Sequence, residues 1–131
     1  MRSRILFISG RAADARRLSR MLHAMPILVD HAGSLQDARA QLQQREYDVI
    51  LTEAFLPDAG WLDVLHLARD YPKEIQVIVT DPHADTNFWA EALNMGAYDL
   101  LAQPFYEPEV RRILGNACTR PAYQLTRLAA V

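Results

Sequence analysis

Apolar residues recur in five short runs, and each run is followed by a segment with apolar positions three or four residues apart. Short β-branched runs are typical of buried parallel strands, and the wider spacing is typical of amphipathic helices. Strands are predicted at residues 4–8, 27–32, 48–52, 75–80 and 97–102. Helices are predicted after Arg11 and ending before Pro26, then at residues 35–45, 61–70, 85–95 and 107–118. No hairpin signal joins two strands, so the pattern predicts an α/β domain with five βα units and a doubly wound, five-stranded parallel sheet.

The third run ends in an acidic residue, Glu53. Residues 49–51 are apolar enough to be buried on both faces of a sheet, and Pro57 stops the strand pairing soon afterwards. Ligands of open parallel sheets bind beyond the carboxyl ends of the strands. Glu53 is therefore the first candidate for a functional residue, and the alternative is that its carboxylate only caps the following turn.

Composition and charge argue against several classes of protein. The chain has 131 residues, a formal net charge of -2 and a pI near 6.0, which argues against a free-standing nucleic-acid binder. Three arginines on the first helix, Arg16, Arg17 and Arg20, are most simply a solvated face. The lone Cys118 cannot form an internal disulfide, and no segment has the length of a membrane span or the form of a signal peptide. A cytoplasmic protein is expected.

Several of these segments together resemble the receiver domain of bacterial response regulators. They are the apolar residues 5–8 before a loop, residues 47–51 followed by an acidic residue four before Pro57, the Gly96-Ala97 pair and the Pro104-Phe105 pair. The resemblance covers roughly residues 3 to 118 and implies the flavodoxin-like, CheY-like (βα)5 fold. It divides the chain into a receiver-like domain, 1–118, and a tail or linker to a missing effector domain, 119–131.

The resemblance also assigns a phosphorylation pocket. In that family an Asp after strand three accepts a phosphoryl group, two acidic residues hold Mg²⁺, and a hydroxyl residue and a Lys complete the site. Here these positions fall on Glu53, on Ser9 and Gly10, on Asp81 and on Gln103. Thr80 is one residue early, and strand alternation is expected to turn its side chain to the opposite face.

These replacements predict that the pocket has lost its chemistry. Phosphoryl transfer needs a metal ion and fixed cations, and neither a metal site nor the Lys is retained. We therefore expect a degenerate receiver that binds no cofactor, including Mg²⁺, is not an enzyme, and acts through a protein partner or effector domain. Glu53 and Asp81 should converge in the pocket. Arg11 either reaches over it to pair with one of them or points to solvent.

Two other interpretations stay open. One is a phosphoacceptor that uses another carboxylate. Asp48 begins its strand at the wrong end of the sheet and Asp58 follows the proline, which leaves Asp81. The other is a flavodoxin-like small-molecule site, in which the loop at residues 9–11 offers backbone amides to an anion.

A surface for partners is expected on the face formed by helix four, strand five and helix five, which receivers use for dimerisation or docking. Phe88 and Trp89 are about 100° apart on helix four, so either both belong to a wide buried stripe or one is exposed. Tyr98 lies two residues before Leu100 in the predicted strand five, on the same side of the strand. The residues assigned to this interaction face are Phe88, Trp89, Tyr98, Arg111 and Arg112. No direct nucleic-acid or membrane contact is expected.

Overall fold

The computed structural model describes residues 2–83 and 85–119, and contains a parallel sheet flanked by helices on both faces. The spatial order of the strands is β2-β1-β3-β4-β5, which confirms the predicted five-stranded (βα)5 fold. The strands are β1 (Ser3–Ile8), β2 (Ile27–Ala32), β3 (Val49–Glu53), β4 (Gln76–Asp81) and β5 (Asp99–Ala102). The helices are α1 (Ala12–Met21), α2 (Leu35–Gln44), α3 (Trp61–Arg69), α4 (Thr86–Asn94) and α5 (Glu107–Cys118).

Alternation along the central strands sends neighbouring side chains into two separate cores. Leu6 and Ile50 pack in the core beneath α2, α3 and α4, whereas Phe7 and Leu51 pack in the core beneath α1 and α5. All four side chains are fully buried. Burying a side chain of this size stabilises the fold by roughly 1.5–3 kcal/mol, so these two cores hold the strand ends in fixed positions.

Local signals define the helix ends. Ser34 caps α2 by accepting a hydrogen bond from the backbone amide of Asp37 at 3.1 Å. Gly96 follows α4 with a φ of +111°, a conformation that a residue with a Cβ rarely adopts. Pro108 lies in the first turn of α5, where no backbone N–H is needed. Both the cap and the two breakers were predicted from the sequence.

Strand boundaries differ from the prediction by one or two residues. β4 runs to Asp81 instead of ending at Thr80, and β5 begins at Asp99 instead of Ala97. The shift in β4 matters for the site because it extends the hydrogen-bonded ladder past Thr80 to Asp81. The tail predicted at residues 119–131 lies, apart from Thr119, outside the described residues.

Candidate functional site

The Glu53 side chain joins two loops at the carboxyl edge of the sheet. Glu53 is the last residue of β3 and is half-buried. Its Oε1 atom accepts a hydrogen bond from the backbone amide of Gly10 at 3.0 Å. Gly10 lies in the loop between β1 and α1. The carboxylate is therefore held by a neutral backbone donor.

Ser9 is buried and forms hydrogen bonds that hold the same loop. Its Oγ atom accepts a hydrogen bond from the Arg11 amide at 3.0 Å, and its carbonyl oxygen lies 2.7 Å from Nε2 of His31. His31 is thus a hydrogen-bonding residue near the end of β2. Mg²⁺ prefers several carboxylate or water oxygens, whereas Ser9 and Gly10 supply one hydroxyl that is already bonded and no carboxylate. The residues at these two positions do not fit a magnesium ion.

Thr80 is the residue that lies beside Glu53 in the sheet. The parallel register of β3 and β4 pairs Glu53 with Thr80, and paired residues direct their side chains to the same face. This corrects the expectation that Asp81 occupies the hydroxyl position and that Thr80 faces away. Asp81 is one residue further along the strand, and its Oδ1 atom accepts a hydrogen bond from the His83 amide at 3.1 Å, which closes the turn after β4.

Two buried polar atoms at this edge have no hydrogen-bond partner. Among the side chains of the described residues, Thr80 Oγ1 and Gln103 Nε2 are both inaccessible to solvent and unpartnered. An unsatisfied buried polar group costs about 1–3 kcal/mol, and most native proteins contain few. The sequence is therefore not optimised for stability at this edge of the sheet.

A concave pocket opens at the same edge. Glu53 and Asp81 both line it, as expected, and no metal-binding group of three or more His, Cys, Asp or Glu residues occurs in the part of the chain that the structure describes. The full lining consists of Gly10, Arg11, Glu53, Ala54, Phe55, Pro57, Thr80, Asp81, Pro82 and His83.

Arg11 borders the pocket but does not neutralise it. The side chain is exposed, and it takes part in none of the ion pairs found within residues 2–83 and 85–119. Pairing of Arg11 with Glu53 or Asp81, one of the two alternatives drawn from the sequence, is therefore not what the structure shows. A long exposed side chain has no packing contact that would fix its direction, so the pattern of residues could not decide this point.

The other two acidic candidates have structural roles elsewhere. Asp48 binds Lys73 Nζ and the Arg4 amide, each at 2.8 Å, near the amino end of the sheet. Asp58 accepts hydrogen bonds from the first two amides of α2, at 3.0 and 3.1 Å. The first of these bonds, from Leu35, is the main reason that the pKa of Asp58 is lowered. Neither residue lines the pocket.

The two aromatic residues of α4 have different surroundings. Phe88 packs against Trp61 with ring centroids 5.8 Å apart, whereas Trp89 is 48% exposed. The single-stripe alternative is therefore wrong, because Trp89 leaves the core. Trp89, Tyr98 and Arg112 line a groove between α4 and α5.

One assignment to this interaction face, Arg111, needs correction, and so does the expectation that Tyr98 and Leu100 share a side of the strand. Arg111 turns away from this face, and its Nη1 atom donates to the carbonyl oxygens of Met21 and His23, both at 3.3 Å, at the end of α1. Tyr98 precedes β5, where strand alternation does not yet apply. It packs with the core beneath α5, while Leu100 packs with the opposite core.

Sequence reasoning missed two features of this edge. The first is the place of Thr80 beside Glu53, which depends on the register of β4 against β3 and cannot be read from a local pattern. Phe55 is 77% exposed at the mouth of the pocket, and its place two residues after a buried strand was the one available signal.

Comparisons with known proteins agree with this architecture. A family model described as the response regulator receiver domain matches residues 5–115. The regulatory protein LuxO of Vibrio cholerae is 28% identical over 96 residues, which cover 73% of this chain and 21% of LuxO. The transcriptional regulatory protein CitB of Klebsiella pneumoniae is 32% identical over 85 residues, 63% of this chain and 36% of CitB. The chain thus spans about a fifth of the length of its LuxO relatives.

Solved structures show the same fold. A response regulator receiver domain protein from Clostridium thermocellum has a TM-score of 0.80 at 20% identity, covering 93% of this chain and 98% of its own. The chemotaxis response regulator CheY4 of Vibrio cholerae has a TM-score of 0.78 at 18% identity, covering 89% and 99%. In the described part of this chain, no helix combines the length and hydrophobicity that a membrane span requires.

Proposed function

We propose that this chain, which belongs to the response regulator receiver domain family, is a degenerate receiver that signals without being phosphorylated. It acts in a two-component system as a protein-interaction module of the cytoplasm, not as an enzyme, and needs no cofactor. The observation that carries the proposal is the hydrogen bond from the Gly10 amide to Glu53 Oε1.

That bond opposes phosphoryl transfer for a physical reason. Transfer to a carboxylate requires cations that neutralise the phosphoryl oxygens and a nucleophile held in line. The acceptor carboxylate here is engaged by a loop amide, the two positions before α1 lack carboxylates, and Gln103 brings no positive charge. Glu53 supplies a permanent negative charge but only part of the oxygen set of a phosphate.

The alternatives are less well supported by the same contacts. Asp81 as phosphoacceptor would have to leave the turn that it closes with His83. An anion site in the loop at residues 9–11 would need free amides, but the Gly10 and Arg11 amides already donate to Glu53 and Ser9.

The test is incubation with acetyl phosphate and Mg²⁺ followed by intact mass measurement, and titration with beryllofluoride followed by amide NMR. We expect no mass increase and no shift at Glu53 or its neighbours. A control variant that combines Gly10→Asp, Glu53→Asp and Gln103→Lys restores a carboxylate, the shorter acceptor and the cation. It should gain at least partial phosphorylation. A phosphorylated wild-type chain would refute the proposal.

In place of phosphorylation, the groove between α4 and α5 is proposed as the contact surface. Its centre is Trp89, with Arg112 beside it, and aromatic residues and arginines are enriched at interface hot spots. One solved relative by fold, the beryllofluoride-activated NtrC4 receiver domain, forms a dimer. Homodimerisation or docking of an effector domain through this groove would give the chain an output.

Sedimentation velocity over a concentration series tests this surface. Trp89→Ala should weaken self-association, whereas Phe55→Ala, which removes an even more exposed aromatic ring at the pocket, should not. If Trp89→Ala associates like the wild type and remains folded, the interface lies elsewhere.

A further inference from the structure

Charge is distributed unevenly along this chain. Residues 2–29 contain six arginines and one acidic residue, Asp14, whereas residues 46–109 contain thirteen acidic and two basic residues. Three of the arginines, Arg16, Arg17 and Arg20, are exposed on α1. The first helix is therefore a positively charged surface on a chain whose net charge is negative.

Four residues form what we call the basic stripe: Arg16, Ser19, Arg20 and His23. Their spacing places them on one side of α1 and of the turn that follows it, and together they line a shallow concavity. At 1.5 Å per residue the stripe is about 10 Å long. The Arg111 guanidinium, 3.3 Å from the carbonyl oxygen of His23, adds positive charge at its end.

Helix stability does not account for this arrangement. Arg16 and Arg20 are four residues apart, and like charges at that spacing destabilise a helix. Arg20 is in the last turn, where the helix dipole favours a cation, but Arg16 is not.

Nor are the arginines of α1 paired. Within residues 2–83 and 85–119 the ion pairs use Arg4, Arg45 and Lys73, and none uses an arginine of α1. The repulsion within the stripe is therefore not compensated by a carboxylate of the described chain.

We propose that the basic stripe is a docking site for a carboxylate-rich segment of a partner protein. The planar guanidinium groups of Arg16 and Arg20 match carboxylates in bidentate geometry. A protein segment fits better than a nucleic acid, because the stripe covers one helix and the acidic residues elsewhere would repel a long polyanion. The stripe is distinct from the groove beside α4, since α1 and α4 cover opposite faces of the sheet.

Fluorescence anisotropy with a labelled, glutamate-rich peptide tests the proposal on the full chain. The variant Arg16→Gln/Arg20→Gln should bind about fivefold more weakly, as expected for the loss of two exposed ion pairs. The control Arg2→Gln/Arg39→Gln removes the same charge from two other exposed positions and should bind like the wild type. Ser19→Glu, which places a carboxylate within the stripe, should also weaken binding, and circular dichroism verifies folding.

Three results would overturn this assignment. They are no binding of the peptide by the wild type, an equal loss of binding in both double variants, and tighter binding of a single-stranded oligonucleotide of the same charge than of the peptide. None of these results depends on phosphorylation, so they leave the proposed function untouched.

Discussion

Two groups of polar residues differ in how completely they are satisfied. The Oδ2 atom of Asp30, on β2, lies 3.0 Å from Arg4 Nη1 and 3.6 Å from Arg45 Nη1. The same oxygen accepts a hydrogen bond from the buried Tyr47 hydroxyl at 2.7 Å. Burial by itself would raise the pKa of Asp30, but the hydrogen bonds from Tyr47 and Arg4 outweigh it and the pKa is lowered. Every partner in this network favours the ionised carboxylate.

The pocket at the carboxyl edge of the sheet has the opposite character. Within the described part of the chain, Glu53 and Asp81 accept hydrogen bonds from backbone amides only, and Thr80 and Gln103 each have a buried polar atom without a partner. The two regions therefore differ in how much their polar groups contribute to the stability of the fold. The Asp30 network contributes to stability, whereas the pocket retains polar groups whose stabilising partners are absent from the described chain.

The largest expected effect comes from the Asp30 network. Tyr47→Phe removes a buried hydroxyl and the hydrogen bond to Asp30, so the free energy of unfolding should fall by about 1–2 kcal/mol. Tyr106→Phe, at a ring that is 67% exposed, is the matched control and should change it by less than about 0.5 kcal/mol. Urea unfolding measures the free energy of unfolding of both variants, and the dependence of that free energy on urea concentration should be the same in each. Equal values for the two variants would remove the distinction between the regions.

The same network predicts a pH dependence. Because the pKa of Asp30 is lowered in the folded state, its contribution is complete above the unfolded pKa and is lost as the pH falls through the folded value. Stability should therefore decline below about pH 4. Asp30→Asn should lower the free energy of unfolding by roughly 1 kcal/mol at neutral pH and flatten the acid decline. An unchanged acid slope in the variant would contradict this prediction.

A matched pair of threonines compares a satisfied hydroxyl with an unsatisfied one. Both Thr52 and Thr80 are fully buried, but Thr52 Oγ1 donates to the carbonyl oxygen of Glu53 at 2.9 Å, whereas Thr80 Oγ1 has no partner among residues 2–83 and 85–119. Thr52→Val should destabilise the fold by about 1 kcal/mol. Thr80→Val should be neutral or slightly stabilising, because it removes a polar atom that burial disfavours. Thermal unfolding measures the stability of the two variants. A larger loss of stability in Thr80→Val than in Thr52→Val would show that the Thr80 hydroxyl has a partner in solution.

The smallest effect is expected at Glu53. A glutamine at this position keeps an oxygen that can accept from the Gly10 amide, so Glu53→Gln should change stability by less than about 0.5 kcal/mol. Glu53→Asp shortens the side chain and should release the Gly10 amide. Hydrogen exchange at Gly10 measures this release, which should be visible in the aspartate variant and absent in the glutamine variant.

The predictable part of the molecule was the part governed by local patterns. Apolar runs and turn residues such as Gly96 and Pro108 identified the elements, and the predicted end of β3 lies within one residue of the observed end at Glu53. What failed depended on relations between distant segments. The choice between Thr80 and Asp81 is made by the register of β4 against β3, and no single segment contains that register.

Side-chain direction was the second source of error. The place of Arg111 on α5 predicted that it belongs to the face of helix four, strand five and helix five. Instead, carbonyl groups at the end of α1 accept hydrogen bonds from its guanidinium group, a contact that spans about 90 residues of sequence. Arg11 has no such attraction and stays exposed.

The contact of Arg111 with the end of α1 also bears on the order in which the chain can fold during synthesis. The residues that close the core over β1 and β3 on this face include Val110, Ile113 and Leu114, and they come last from the ribosome among the described elements. Until α5 emerges, Phe7 and Leu51 have only α1 to cover them. A nascent chain that stops before residue 110 would therefore expose an apolar surface to chaperones, and the Arg111 contact forms when α5 packs onto that surface.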